Sequence, residues 1–411
     1  MSARKNASLI FIFITILVDV IGLGIIIPVI PSLIQSLMGG DLSEASFIGG
    51  WLLFAFSIMS FFFAPVLGEL SDHFGRKPVL LIALFGLGLD YIFHAFAPSI
   101  FWLFVGRVLA GIMGASFSVA NAYVADISKP EEKAKNFGMM GAAFGLGFII
   151  GPAMGGIVAE SFGVKAPFLL AAALSLLNLT YGLFVLPESL PVEKRRKFDW
   201  RKANPRGSFL KLKKYPLLIG FAAAFFLIHL AGHAVQSTWT FFSMLKFSWT
   251  EADIGYSLGF VGIMVVLVQA VLVGWFVKTL GNQRTVIIGF VLWGVGMLTF
   301  AFAEYGWMLY LGIIPYTLGG IAGPTVQGIM SNQFPDTEQG ELQGALTSLI
   351  ALTSIIGPVL MTSIFSYFTQ TGGDYFIPGA PFILGTVFAG LSLWLVIRAL
   401  GTLRKSEIRP E

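Results

Sequence analysis

Long apolar segments recur along almost the entire chain, and each is long enough to cross a lipid bilayer. A transmembrane helix needs about 20 mostly apolar residues, whereas strands of a transmembrane barrel have about ten residues of alternating polarity. The segments here are apolar on all sides, and charged residues make up only 12% of the chain. The sequence therefore predicts an all-α membrane protein with twelve transmembrane helices, at residues 9–36, 46–70, 79–98, 100–125, 136–160, 166–187, 216–244, 253–277, 284–303, 306–331, 341–368 and 379–400.

Basic residues are concentrated in alternate loops between these spans. A net charge of +4 would also suit a nucleic-acid-binding protein. The location of the basic residues decides between nucleic-acid binding and membrane topology as the reason for this charge. If the N-terminus is cytoplasmic, only Lys165 and Lys246 fall on the outer side, as the positive-inside bias of inserted proteins requires. We therefore expect a multi-pass protein of the cell (inner) membrane, with both termini cytoplasmic and no nucleic-acid partner.

The spans divide into two related halves. A polar stretch at residues 188–215 separates an N-terminal six-helix bundle, residues 1–187, from a C-terminal bundle, residues 216–411. As a cytoplasmic linker, this stretch either binds anionic lipid or simply connects the bundles. An offset of 206 residues aligns Ile48-Gly49 with Ile254-Gly255, Gly68 with Gly274, Gly75 with Gly281, and Gly151-Pro152 with Gly357-Pro358. Such parallel repeats are typical of transporters whose binding site lies near the bilayer midplane.

The sequence GELSDHFGRKPVLL, residues 68–81, follows the second span and contains candidate gating residues. Gly75 suits a tight turn, the following cations hold the loop in the cytoplasm, and the Asp72 carboxylate could pair with a cation or a helix N-terminus. A solvated loop charge is the alternative for Asp72. The candidates in this loop are Gly68, Asp72, Gly75, Arg76 and Lys77.

A second candidate gating element is GLGFIIGPAMGG, residues 145–156. Its glycines permit close helix approach, and the step from Gly151 to Pro152 weakens the backbone hydrogen-bond ladder and allows a bend. Close packing without any motion is the alternative.

Three ionisable residues, Asp19, Asp90 and Arg107, lie well inside predicted spans. A charge at that depth costs at least about 2.5–3.5 kcal/mol, so each needs a wet cavity or a partner. Desolvation favours the neutral form of a carboxylate, whereas a nearby arginine favours the charged form. One interpretation is that an aspartate changes its charge, either by taking up and releasing protons or by binding a cationic substrate. The alternative is a static Asp–Arg pair that orders the helix bundle. The better proton carrier is the aspartate that lies farther from Arg107, or the one that loses this contact when the cavity changes face.

The seventh span carries His229, His233 and Gln236 on one helical face. Two histidines could bind a metal, but no third ligand is evident, so we expect either a polar stripe lining a substrate cavity or hydrogen-bonded helix packing. Gln269 and Gln327 add neutral groups in the second half. The chain has no cysteine, and we predict neither a metal nor a cofactor.

Seven segments, spread over the chain, follow the pattern of a known family: LVDVIGLGIIIPVIP, GELSDHFGRKPVLL, LDYIFHAFAP, GRVLAGIMGA, AYVADIS, GLGFIIGPAMGG and QGELQGALTSLIALTSIIGPVL. Through them the whole chain resembles the major facilitator superfamily, most strongly its drug:proton antiporters and among them the tetracycline efflux proteins. The resemblance implies two pseudo-symmetric six-helix bundles, a loop locked by Asp72 against the facing half, and a pair between Arg76 or Lys77 and Asp126. His73 departs from the usual cation of the loop motif, and Trp293 replaces an acidic residue of the exporters.

These features together predict a secondary active transporter. We expect proton-driven export of a small amphipathic drug-like compound, with tetracycline as a candidate, by alternating access. Proton-coupled uptake of a small nutrient or metabolite is the alternative, and a non-transporting receptor is a third class. The sequence shows no nucleotide-binding loop or catalytic triad, so an enzyme is not expected. The expected partners are a small-molecule substrate, protons and membrane lipid, and the protein is expected to act as a monomer.

Overall fold

The computed structural model describes residues 2–114, 116–129, 132–198, 219–333 and 339–408, and its regular secondary structure within these ranges is helical. Fifteen α-helices are bounded as follows: α1 Ser2–Ile26, α2 Ile30–Met38, α3 Leu42–Phe74, α4 Arg76–Phe96, α5 Ile100–Met113, α6 Ser116–Ile127, α7 Lys133–Phe162, α8 Ala166–Val185, α9 Ile219–Phe247, α10 Glu251–Leu267, α11 Val273–Phe302, α12 Gly306–Gly319, α13 Ala322–Ser331, α14 Gln339–Thr369 and α15 Ala380–Ile408.

Several of these helices combine into longer membrane-spanning segments. Among the described residues, eleven segments are long and apolar enough to cross a bilayer. The longest, Glu251–Phe302, has 52 residues and is interrupted at Gly281, whose φ of 75° is a conformation that favours glycine. The two sides of this break correspond to the predicted eighth and ninth spans, which accounts for the count of twelve. The predicted all-helical membrane fold is confirmed.

Apolar side chains cover the outside of this fold as well as its core. Phe184 is 84% exposed and Leu177 is 65% exposed. Exposed apolar side chains of this size on long helices suit contact with lipid chains rather than water.

The first compact unit comprises Met1–Asp41, Ala55–Pro205 and Trp249–Gly262. Its core includes Phe11 and Val20 of α1 together with Tyr123 and Val124 of α6. Helices α1 and α7 meet through glycines because a side chain at Gly147 would lie 2.7 Å from Val20 Cβ. This close approach fixes the helix that carries Asp19.

The second compact unit comprises Leu42–Phe54, Arg206–Ser248 and Ile263–Glu411. Its core is formed by α9, α11, α13, α14 and α15, with Phe221, Phe225, Ile228, Phe290 and Val396 buried. The start of α3 belongs to this unit: Ser43 Oγ donates to the carbonyl of Ser366 at 2.7 Å.

Two segments thus belong to the other unit: one from the N-terminal half of the chain lies in the second unit, and one from the C-terminal half lies in the first. They are Leu42–Phe54 in the second unit and Trp249–Gly262 in the first, and the 206-residue offset places them at equivalent positions of the repeat. The domain boundary at residues 188–215 stays a prediction, because residues 199–218 lie outside the described ranges.

Candidate functional site

Asp19 lies on α1 in the interior of the first unit and is only 5% exposed. Its Oδ2 accepts a hydrogen bond of 2.7 Å from the hydroxyl of Ser116 at the start of α6. This is the one side-chain partner that the described residues provide for Asp19. A neutral hydroxyl can donate to the charged carboxylate and can equally accept from the protonated form. The contact therefore suits both protonation states.

Asp90 on α4 has a different environment. It is fully buried, and Arg107 of α5 donates to its Oδ2 through Nη2. His94, one turn further along α4, donates from Nδ1 to the Asp90 carbonyl at 2.8 Å and lies 3.2 Å from Asp90 Oδ1. The His94 ring is held by stacking on Phe168, with ring centroids 5.5 Å apart. These contacts favour the charged form of Asp90.

Two glycines make room for this buried polar group. A Cβ on Gly106 of α5 would lie 2.7 Å from Asp90 Oδ1, and a Cβ on Gly22 of α1 would lie 3.4 Å from the hydroxyl of Tyr91. Among the described residues, the Tyr91 hydroxyl has no hydrogen-bond partner. Gly22 therefore lets α1, which carries Asp19, approach the buried phenol of Tyr91 on α4, next to Asp90. Sequence reasoning did not single out this phenol.

The loop between α3 and α4 is organised by Arg76. Its guanidinium donates to Asp126 Oδ2 at 3.0 Å, to Asp72 Oδ1 at 2.5 Å and to the hydroxyl of Ser71 at 2.6 Å. The structure thus places Arg76 beside Asp126, the pair that the family resemblance implied. Asp72 pairs with Arg76 of its own loop, whereas Lys77 donates to the carbonyl of Leu183 at 2.8 Å.

Glu188, which lies after α8, also binds this loop and was missed by sequence reasoning. Its carboxylate accepts from the backbone N–H groups of Arg76 and Lys77 at 2.8 and 3.2 Å, which stabilises the N-terminus of α4. Gly75 has a φ of 104°, and a Cβ there would lie 2.7 Å from the Glu188 carboxyl carbon. Because Glu188 opens the polar stretch after the sixth span, the sequence pattern indicated only a solvated connector.

The beginning of the predicted linker packs against the same loop. The backbone N–H of Arg196 donates to the carbonyl of Asp72 at 3.1 Å, and His73 Nδ1 lies 2.9 Å from the Arg196 carbonyl. Ser189 donates to Asp126 Oδ2 at 3.2 Å. Gly68 lies within α3, and a Cβ at this position would meet open space.

Gly151 and Pro152 lie in the continuous helix α7. A Cβ on Gly151 would be 2.7 Å from the carbonyl of Ile21, and a Cβ on Gly24 would be 2.8 Å from Pro152 Cδ. The structure therefore shows close packing of α7 on α1 at this step. The bending role remains a prediction.

The five polar residues that the sequence proposed for substrate binding in the second unit do not all lie together. His229 Nδ1 donates to the carbonyl of Phe225 at 2.7 Å, and His233 is 7% exposed, with its ring against Gly357. Gln327 donates to Gln343 at 2.6 Å. Gln236 and Gln269 are exposed on α9 and on the π-helical turn Val268–Leu272. Within the described ranges, no three His, Asp or Glu side chains lie close enough to hold a metal ion.

Comparison with known proteins identifies the family. The model of the Major Facilitator Superfamily matches residues 12–284 and 226–410. The chain belongs to the major facilitator superfamily. It is 39% identical over 93% of its length to the class C tetracycline resistance protein of Escherichia coli, of which it covers 96%. It is 32% identical over 98% of its length to the class B tetracycline resistance protein of Escherichia coli, which it covers completely.

Solved structures of major facilitator proteins share the fold. The human organic anion transporter MFSD10 (TETRAN) superposes with a TM-score of 0.69 at 21% identity and covers 95% of this chain and 99% of its own. The nucleoside transporter NupG superposes with a TM-score of 0.72 at 15% identity, covering 97% and 99% of the two chains. The predicted superfamily and its similarity to tetracycline efflux proteins are confirmed, and this member is a multi-pass membrane transporter, not an enzyme.

Proposed function

We propose that this major facilitator protein is a proton-coupled antiporter that exports small amphipathic drug-like compounds, tetracycline among them, by alternating access. One observation carries the proposal. Of the two buried aspartates, Asp19 is bonded to a neutral hydroxyl, whereas Asp90 is paired with Arg107. Asp19 is therefore the carboxylate whose charge can change without breaking an ion pair.

Proton exchange at Asp19 supplies a means of coupling. A buried carboxylate that is charged favours hydration or a cationic ligand, whereas the neutral acid is tolerated in an apolar setting. Protonation from one face and release to the other would bias which conformation is populated. The Asp90–Arg107 pair keeps a constant charge and holds α4 against α5.

The relatives support export as the direction of transport. They are named for resistance to tetracycline, and for a membrane transporter, removal of the drug from the cytoplasm is the direct way to produce resistance. Uptake by symport, the alternative, would lower resistance rather than raise it. The positive-inside pattern supports an inner-membrane protein with cytoplasmic termini.

Everted membrane vesicles test the coupling. The vesicles carry the protein in a host without its own tetracycline exporters, and respiration acidifies their lumen. An antiporter accumulates tetracycline added outside and releases lumenal protons, which a pH-sensitive dye inside the vesicles records. Accumulation should disappear when an ionophore collapses the pH gradient. Loss of preloaded tetracycline together with protons would indicate symport, and accumulation without proton movement would contradict the proposal.

A further inference from the structure

Aromatic and amide side chains meet on one side of the second unit. Trp293 of α11 and Tyr316 of α12 have ring centroids 5.8 Å apart and are tilted by 49°. An indole N–H can only donate a hydrogen bond, whereas a phenol hydroxyl can both donate and accept one. The pair therefore offers donor groups beside two aromatic ring faces.

Glycines on neighbouring helices bring Gln236 to the same place. A Cβ on Gly319 of α12 would lie 2.6 Å from Trp293 Cβ, so these two helices approach closely only with glycine there. A Cβ on Gly232 of α9 would lie 3.6 Å from the edge of the Trp293 ring and 3.7 Å from Gln236 Nε2. Gly232 therefore borders both the edge of the indole and the Gln236 amide.

Gln269 lies near the end of α12, next to Gly320. It lies on the π-helical turn Val268–Leu272, and such turns are frequent at functional sites. Its Nε2 is 3.8 Å from the position of a Cβ on Gly320, which lies in the short connection between α12 and α13. Gly320 directly follows Gly319, which contacts Trp293.

The exposure of these amides constrains their surroundings. Gln236 and Gln269 are exposed within membrane-spanning segments, and Trp293 and Tyr316 are partly exposed. An amide in hydrocarbon without a hydrogen-bond partner costs several kcal/mol, so this face borders water or a ligand rather than lipid. Its four side chains are neutral.

We propose that Trp293, Tyr316, Gln236 and Gln269 form a recognition surface for a planar aromatic ring system that carries adjacent carbonyl and hydroxyl groups. The ring system stacks on the indole, the Tyr316 hydroxyl donates to a carbonyl, and the glutamine amides both donate and accept. The inference rests on the proposed function, and it names the part of the substrate that the second unit binds. Trp293 acts through ring contact and not through charge.

Equilibrium binding of tetracycline to the detergent-solubilised full chain tests the surface without any proton gradient. Trp293→Leu should raise Kd about tenfold because stacking of a ring is lost, and Trp293→Phe should raise it less. Tyr316→Phe removes a single oxygen atom and should raise Kd about threefold to tenfold. Gln269→Leu should have an effect of similar size. Size-exclusion profiles and thermal unfolding verify that each variant is folded.

Matched controls come from the same chain. Trp275 lies on α11 and is 56% exposed, and Tyr305 is 61% exposed. Trp275→Leu and Tyr305→Phe should keep the parental Kd. If folded Trp293→Phe and Tyr316→Phe both bind tetracycline as the parent does while the parent exports it, the recognition surface is wrong and the proposed function stands. If tetracycline moves no protons through the parent although it binds and both substitutions weaken binding, antiport is wrong and the surface stands.

Discussion

At the scale of single residues, the two buried aspartates differ in what would be lost on neutralisation. Asp19 would keep its bond to Ser116, whose hydroxyl can donate to an amide oxygen as well as to a carboxylate. Asp90 would leave Arg107 as an unpaired buried cation. The same chemical change therefore has different consequences for coupling and for stability.

Replacing Asp19 by Asn should abolish tetracycline accumulation driven by a pH gradient, because the amide cannot ionise. The midpoint of thermal unfolding in detergent should stay near the parental value, since volume and the Ser116 contact are retained. Asp374→Asn changes an exposed carboxylate and serves as the control. Accumulation at the parental rate in Asp19→Asn would show that this carboxylate carries no proton.

The pair of Asp90 and Arg107 should behave as a structural unit with a smaller role in coupling. Arg107→Gln leaves a buried carboxylate unpaired and should lower the free energy of unfolding by about 3–5 kcal/mol. Asp90→Asn should also be destabilised and should export poorly. Combining the two substitutions removes both charges, so the double variant should be more stable than either single variant.

Thermal unfolding of all three variants in one detergent measures the coupling of this pair. Lys165→Gln removes an exposed cation and should change nothing. A double variant whose loss equals the sum of the two single losses would mean that Asp90 and Arg107 do not act as a pair.

At the scale of helices, the small residues of α7 determine how closely it lies on α1. Gly151 should not accept a methyl group, because its Cβ would come 2.7 Å from the Ile21 carbonyl and 2.9 Å from Gly24 Cα. Gly151→Ala should therefore cost about 1–3 kcal/mol of stability through overpacking.

Gly138 provides a control within the same helix, because a Cβ there would meet nothing within 4 Å. Gly138→Ala should be neutral or stabilising by up to about 1 kcal/mol, since alanine favours the helix. Equal unfolding temperatures of the two variants in detergent would argue against tight packing at Gly151.

The loop between α3 and α4 is the second element whose contacts predict a phenotype. Asp72 is partly exposed, and a pair of this kind is worth about 0–1 kcal/mol. Asp72→Asn should therefore leave folding intact but slow transport by weakening one closed conformation. Glu193→Gln alters an exposed carboxylate of the adjoining segment and is the control. If Asp72→Asn transports at the parental rate in everted vesicles, Asp72 is an ordinary solvated loop charge without a gating role.

At the scale of the whole molecule, the absence of cysteine from the sequence makes the predicted topology measurable. Glu193 and Asp374 are both exposed and lie in loops on opposite predicted sides. A cysteine at residue 193 should react with an impermeant thiol reagent only in everted vesicles, and one at residue 374 only in intact cells. Reaction of both from the same side would contradict the twelve-span topology.

The helical membrane fold could be predicted from the sequence because burial in lipid acts locally. Each span must satisfy its own backbone hydrogen bonds and be apolar over a fixed length, so a window of residues is enough to recognise it. The repeat was also readable, since glycine and proline recur at a constant offset. The charges of Asp19, Asp90 and Arg107 stood out for the same reason, because each breaks an apolar run.

Only the tertiary structure decided which of these residues meet. Distance along the chain does not tell that Arg107 pairs with Asp90 rather than Asp19, because three helices can be rotated about their axes without changing their apolar pattern. Close glycine contacts, such as Gly106 against Asp90, set that rotation. Glu188 and Tyr316 escaped notice because each looks ordinary in sequence and gains its partner from a distant segment. The sequence determined that ionisable residues lie within the spans. Packing determined that Asp19, and not Asp90, can change its charge without breaking an ion pair.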